Sequence, residues 1–138
     1  MMLTDIRVLN LSFEILISRK EVQQLKTYKS SEIKKFDKRP GLVGTFVHGM
    51  GVTLTHWMFE KDAVLAAHEH FHEQISYVVS GKVRFETKDG ESKIVEAGDF
   101  AVFASNETHG GTALENSVVL DAFSPAREDF KAEMDWKD

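Results

Sequence analysis

The chain has 138 residues, 42% hydrophobic and 28% charged, the makeup of one ordinary soluble globular domain with a core of real size. Its formal net charge of −5 argues against a nucleic-acid partner, because such binders gather Lys and Arg against phosphate. It has no cysteine, which excludes disulfides and thiolate metal sites and fits a reducing cytoplasm.

Taken in chain order, residues 1–25 alternate, with Leu9, Leu11, Phe13, Ile15 and Ile17 on one face, which predicts a strand. Asn10, Ser12 and Glu14 interrupt the apolar stretch 8–17, so it lacks the unbroken core of a signal peptide. No run approaches the roughly 20 apolar residues of a membrane span, and a cytoplasmic protein without membrane contact is expected. Residues 19–38, rich in Lys, Glu and Ser, predict a short helix or loop. Residues 1–38 therefore read as an N-terminal extension packed on the body of the domain or on a neighbouring subunit. Residues 39–138 read as a barrel with its tail.

Arg39-Pro40-Gly41 is a breaker, after which strands follow closely. Residues 42–47 and 52–60 flank a turn containing Gly49 and Gly51. Further strands are expected at 74–79, 81–87, 91–95, 99–103 and 118–123, with an Asp89-Gly90 turn among them. Many short strands without helical periodicity mean an all-β sandwich or barrel. In the tail, Phe130, Met134 and Trp136 are spaced as on a short amphipathic helix.

The chemistry concentrates between His68 and Gly81. His68, His70, His72 and Gln74 fall at every second position, so in an extended strand they share one face. Imidazole is the commonest protein ligand for transition metals. His109, thirty-five residues after Gln74, is a further candidate. Ile75, Tyr77, Val78 and Val79 run on from the cluster, so its strand enters a core rather than solvent. His48 and His56 lack such a setting and read as solvated surface histidines. Asp121 sits between Leu120 and Ala122 in an apolar strand, where an unpaired carboxylate is expensive. Arg127 is a candidate partner for it, either as an ion pair fastening the tail or in a functional role.

The two histidine segments resemble the two motifs of the cupin superfamily. His68, His70, Gln74 and Gly81 follow the first; Gly98, Asp99 and His109 follow the second, with Ala104 where proline is usual and Asn106 in place of the turn glycine. Residues 41–81 and 121–129 are further similar to the KdgF-type cupins of pectin and alginate breakdown. The resemblance implies an all-β, single-domain cupin, a double-stranded β-helix or jelly-roll barrel. It implies one divalent transition metal (nickel, zinc, iron, manganese or copper) on His68, His70, Gln74 and His109. The motif leaves His72 without a ligand role, and strand parity turns Glu73 away from the site. The resemblance also implies catalytic roles for Asp121 and Arg127, and conversion of 4,5-unsaturated monouronates to linear 4-deoxy-5-keto uronates. Four neutral ligands leave the ion its full charge, which suits a Lewis acid better than a redox centre. Arg127 would then pair with the carboxylate of an anionic small-molecule substrate. The alternatives are a metal-dependent dioxygenase of a small organic substrate and a non-catalytic small-molecule-binding cupin. Exposed sheet edges and the N-terminal strand make a homodimer the expected assembly.

Overall fold

Alternating apolar and polar side chains build the architecture of residues 25–137, the part described by the structure, a computed structural model. In β3 (Thr53–Phe59), Thr53, Thr55, Trp57 and Phe59 are buried while the residues between them are exposed. β10 (Ser117–Ser124) repeats the rule, with Val119, Asp121 and Phe123 inward. A strand with this period must bury one face against another sheet. Two antiparallel sheets meet that requirement.

The six-stranded sheet runs β1-β2-β3-β10-β5-β8, built from β1 (Phe36–Arg39), β2 (Leu42–His48), β3, β10, β5 (Glu73–Ser80) and β8 (Phe100–Phe103). The four-stranded sheet runs β4-β9-β6-β7, from β4 (Val64–His68), β9 (His109–Ala113), β6 (Lys82–Thr87) and β7 (Ser92–Glu96). Their facing sides enclose a core that includes Leu42, Phe46, Trp57, Val78, Val83 and Val119. This is the all-β jelly roll expected from the sequence, closed by a short helix, α1 (Glu128–Glu133), in the tail. The strand predicted for residues 1–25 lies outside the described residues except for Leu25, which is in no strand. Between 25 and 35 the chain forms only a 3-10 turn, Ser30–Glu32.

Three strands escape the sequence pattern. β1 runs into the Pro40-Gly41 breaker and pairs with β2 through a register shift. β4 is largely exposed, so its side chains carry little alternation. β9 reads His-Gly-Gly-Thr-Ala, a poor strand by propensity. Its glycines answer to space instead: a Cβ on Gly110 would stand 2.8 Å from the carbonyl oxygen of Leu65 on β4.

Gly81 joins β5 to β6 at φ +83°, a left-handed conformation that glycine adopts without strain. A Cβ there would also lie 2.7 Å from Ser117 Cα, which is backbone and cannot swing aside. Gly81→Ala should therefore destabilise the fold by more than the order of 1–3 kcal/mol that the dihedral alone costs. Urea denaturation of the two proteins measures it. Among the described residues, no helix is long and apolar enough to cross a membrane.

Candidate metal centre

His68, His70 and His109 bring their ligand nitrogens within 4.8 Å of one another. They do not do so as one face of one strand, as parity alone suggests. His68 ends β4 in the smaller sheet, His70 lies in the connection, and Gln74 belongs to β5 in the larger sheet. His109 opens β9, where it pairs directly with His68. The site thus sits between the sheets, and the chain crosses from one to the other inside the His-rich motif.

A second loop locks that crossing. Asn106, left-handed at φ +61°, donates its backbone N–H to the carbonyl of His70 at 2.8 Å. Thr108 Oγ1 donates to Glu69 at 2.9 Å, and Ser105 Oγ donates to the Phe71 carbonyl. Asn tolerates this conformation as few residues besides Gly do, so the departure at Asn106 leaves the turn intact. The two motif loops are zipped together, which holds the imidazoles in register.

Each histidine of the triad spends its Nδ1 on a backbone carbonyl: His68 on Ala66 at 2.9 Å, His70 on His72 at 3.1 Å and His109 on Glu107 at 2.8 Å. That arrangement puts the hydrogen on Nδ1 and a lone pair on Nε2, the orientation a metal-ligating imidazole takes. Ring contacts restrict them further, with Phe103 stacked on His109 at 4.2 Å and Phe123 edge-on to His70 at 5.4 Å.

Gln74 completes the set. Its Nε2 donates to Ser76 Oγ at 3.0 Å, which turns Oε1 toward the histidines. Oε1 stands 3.2 Å from His70 Nε2 and 3.1 Å from His109 Nε2. Three groups with lone pairs and no hydrogen to share face one point, and a cation is what such a set accommodates. Glu73 is exposed and points away from this cluster. His72 is buried but packs against Phe71, with ring centroids 4.0 Å apart, and stays outside the triad.

The electrostatics favour neutral ligands. Burial lowers the pKa of His70 to about 4, with help from the charge of Arg127 and the neighbouring histidines. Burial also lowers His68 and His109. Asp121 moves the other way. Burial pushes it up to about 6, against the opposing pull of hydrogen bonds from Ser76, Trp57 and Gln74 and of the Arg127 charge.

Asp121 Oδ1 accepts from Ser76 Oγ at 2.5 Å, so a chain of hydrogen bonds runs from Gln74 through Ser76 to Asp121. Arg127 is not the direct ion-pair partner of Asp121 that their spacing suggested. Its Nε and Nη2 clasp Asp129 at 3.0 and 2.7 Å, and its guanidinium lies 3.8 Å over the Phe130 ring. The helical turn of α1 decides this, because it swings Asp129 back over the residue that precedes the helix. His68, Gln74, Asp121 and Arg127 nonetheless line one cavity of roughly 130 Å³, with Trp57, Leu65 and Phe123 supplying apolar wall.

Sequence reasoning missed two participants. Arg39, at the end of β1, lines the same cavity and forms no ion pair among the described residues. His48 is buried rather than solvated. Its Nδ1 lies 2.8 Å from Thr53 Oγ1, which also accepts the backbone N–H of Arg127 at 2.8 Å. His48 and Thr53 thereby fix where Arg127 leaves the sheet. Burial on an inward strand position was the available signal for His48; a lining role for Arg39 depends on sheet closure and left no local trace.

Comparison with known proteins places this geometry among relatives. A model of the cupin domain matches residues 55–123. The chain is 44% identical over 75 residues to the pectin degradation protein KdgF of Dickeya dadantii (strain 3937), a match over 52% of this chain and 66% of that relative, just under two thirds of its length. The solved structure of KdgF from Halomonas sp. superposes with a TM-score of 0.69 at 33% identity, covering 76% of this chain and 99% of the other. An RmlC-like cupin from Shewanella frigidimarina NCIMB 400 gives 0.70 at 30% identity, with 78% and 96% covered.

Proposed function

Because this chain belongs to the cupin domain family, we propose that it opens the ring of a 4,5-unsaturated monouronate, an isomerisation in uronate breakdown. One observation carries the reading: a buried carboxylate and a buried guanidinium line one small cavity together with His68 and Gln74, two members of the convergent ligand set. The likeness to KdgF proteins, one of which is named for pectin degradation, supports a substrate from that breakdown.

The reaction conserves every atom. The anomeric hydroxyl loses its proton, C1 becomes an aldehyde as the C1–O5 bond breaks, C5 becomes a ketone, and C4 takes up a proton. A divalent ion on His68, His70, Gln74 and His109 would supply Lewis-acid stabilisation of negative charge on oxygen. Asp121 takes the hydroxyl proton and returns one to C4, base and then acid. A pKa near 6 suits both halves, since the group is ionised at neutral pH yet can carry a proton. Ser76 donates to one carboxylate oxygen and so helps orient Asp121 in the cavity lining. Arg127 keeps N–H groups that Asp129 does not use, and these donate to the uronate carboxylate in a site lined by Trp57 and Phe123.

Arg39 adds a second positive charge to the lining of a protein that is otherwise acidic. Arg39→Gln should raise KM by up to about fivefold, the range of a solvent-screened charge pair, with kcat nearly unchanged. An equal loss in kcat and kcat/KM would instead give Arg39 a role confined to the transition state.

The deciding assay mixes metal-loaded and chelated protein with an unsaturated monouronate and follows the ultraviolet absorbance of the conjugated double bond. Metal-dependent loss without oxygen uptake is expected. No loss above the chelated control would remove this function, and oxygen uptake would replace it with a dioxygenase.

A further inference from the structure

Arg127 is held from several directions, and two of the holds come from the tail. Its backbone N–H donates to Thr53 Oγ1 at 2.8 Å, which fixes where the side chain starts. Asp129 clasps one edge of the guanidinium, with Nε 3.0 Å from Oδ1 and Nη2 2.7 Å from Oδ2. The guanidinium carbon lies 3.8 Å from the centroid of the Phe130 ring and 4.8 Å from that of Phe123. Those two rings stand nearly perpendicular, so they flank the cation on different sides. The Phe130 ring in turn packs on Phe36 and Phe46, so the core sets its angle. Among the described residues, none takes the hydrogens of Nη1. The remaining Nη1–Nη2 edge is a second fork, which a planar carboxylate fits with two parallel hydrogen bonds.

We propose that Asp129 and Phe130 are positioning residues, which aim the free edge of Arg127 into the cavity and make the site select a carboxylate over its uncharged ester. The proposal rests on the uronate reading above for where the carboxylate sits. Asp129 acts in two opposed ways. Its charge offsets that of Arg127 and weakens the pull on a second anion. Its clasp, however, fixes a long side chain that otherwise loses rotamer freedom each time a ligand binds, about two- to tenfold in affinity. The charge effect is the smaller. The Asp129 side chain is 56% exposed, so water screens it, whereas the Arg127 side chain is 7% exposed and its orientation is set by the protein. The clasp also keeps the cation from turning to Asp121, the buried carboxylate that already feels its charge. Phe130 supplies the face on which a planar guanidinium stacks. Edge and face together leave Arg127 one direction in which to donate.

Calorimetric titration of the metal-loaded full chain with galacturonate and with its methyl ester needs no turnover, since neither sugar has a double bond to react. The parent is expected to bind the acid about tenfold or more tighter than the ester, the scale of a hydrogen bond to a charged group. Asp129→Ala should cut that ratio by about two- to tenfold through weaker binding of the acid, with the ester little changed. Phe130→Leu should do the same, and Phe130→Tyr should restore the parental ratio. Far-ultraviolet circular dichroism checks folding; should Phe130→Leu unfold, Asp129→Ala decides alone, because that side chain is mostly in solvent. Tighter binding of the acid by Asp129→Ala would overturn the proposal and make Asp129 a competitor for Arg127. An unchanged ratio would overturn it, as would equal weakening of acid and ester, the mark of a merely structural role. A parent that does not tell acid from ester would overturn it equally. Absence of turnover of an unsaturated monouronate removes the ring-opening reading alone and leaves these ratios to decide.

Discussion

Asp121→Asn should lower turnover of an unsaturated monouronate by about a hundredfold or more, the span that a positioned acid–base group contributes. The substitution keeps shape and a hydrogen bond to Ser76 but removes the proton carrier. Metal content should be unchanged, since Asp121 meets the ligand set only through Ser76 and Gln74. Stability should not suffer at neutral pH. The folded pKa of about 6 lies above the ordinary 3.8, so the folded state holds this proton more tightly than the unfolded one. Between those two values stability falls as pH rises, and above them the buried carboxylate weighs against folding. Replacing it with a neutral amide relieves that burden. In the parent, kcat/KM should climb through about pH 6 as the carboxylate forms, and Asp121→Asn should lack this limb. A variant with parental turnover would remove Asp121 from the chemistry.

Substituting Ala for His70 or His109 should empty the centre. Each removes one of three converging lone pairs and leaves Gln74 Oε1 facing a gap. Metal content should fall to background, and turnover by more than about a hundredfold, beyond the loss typical of an outer-shell change. The same imidazoles set the acid sensitivity of the chelated protein. His70 has a folded pKa of about 4, below its ordinary 6.5, so the unfolded chain takes up the proton first. This histidine's contribution to stability is therefore complete above pH 6.5 and is lost as pH falls toward 4. Melting temperatures of chelated protein across that window should drop, and drop less in His70→Ala. Bound metal competes with the same protons and should be released over a similar range. Metal retention in both Ala variants would place the ion elsewhere.

What the amino-acid order determined by itself was local. Period-two alternation in residues 53–59 and 117–124 is enough to make an all-β protein, because each side chain's face follows from its neighbour's. The His-x-His spacing and the distant His109 marked the ligand types for the same reason: identity and near spacing are written along the chain. The tertiary structure decided everything that depends on which strands meet. It broke the His-rich stretch between two sheets, so that His68 and Gln74 face each other from opposite layers. It admitted β9 as a strand because Gly110 passes close to Leu65, a fit that propensity cannot register. It gave Arg127 to Asp129 and let Ser76 bond Asp121, since the turn of α1 and the pairing of β5 with β10 set those distances. It also turned Arg39 into the cavity and buried His48. A residue's partner is a property of chain closure over long separations, where small differences in packing and register outweigh local preference.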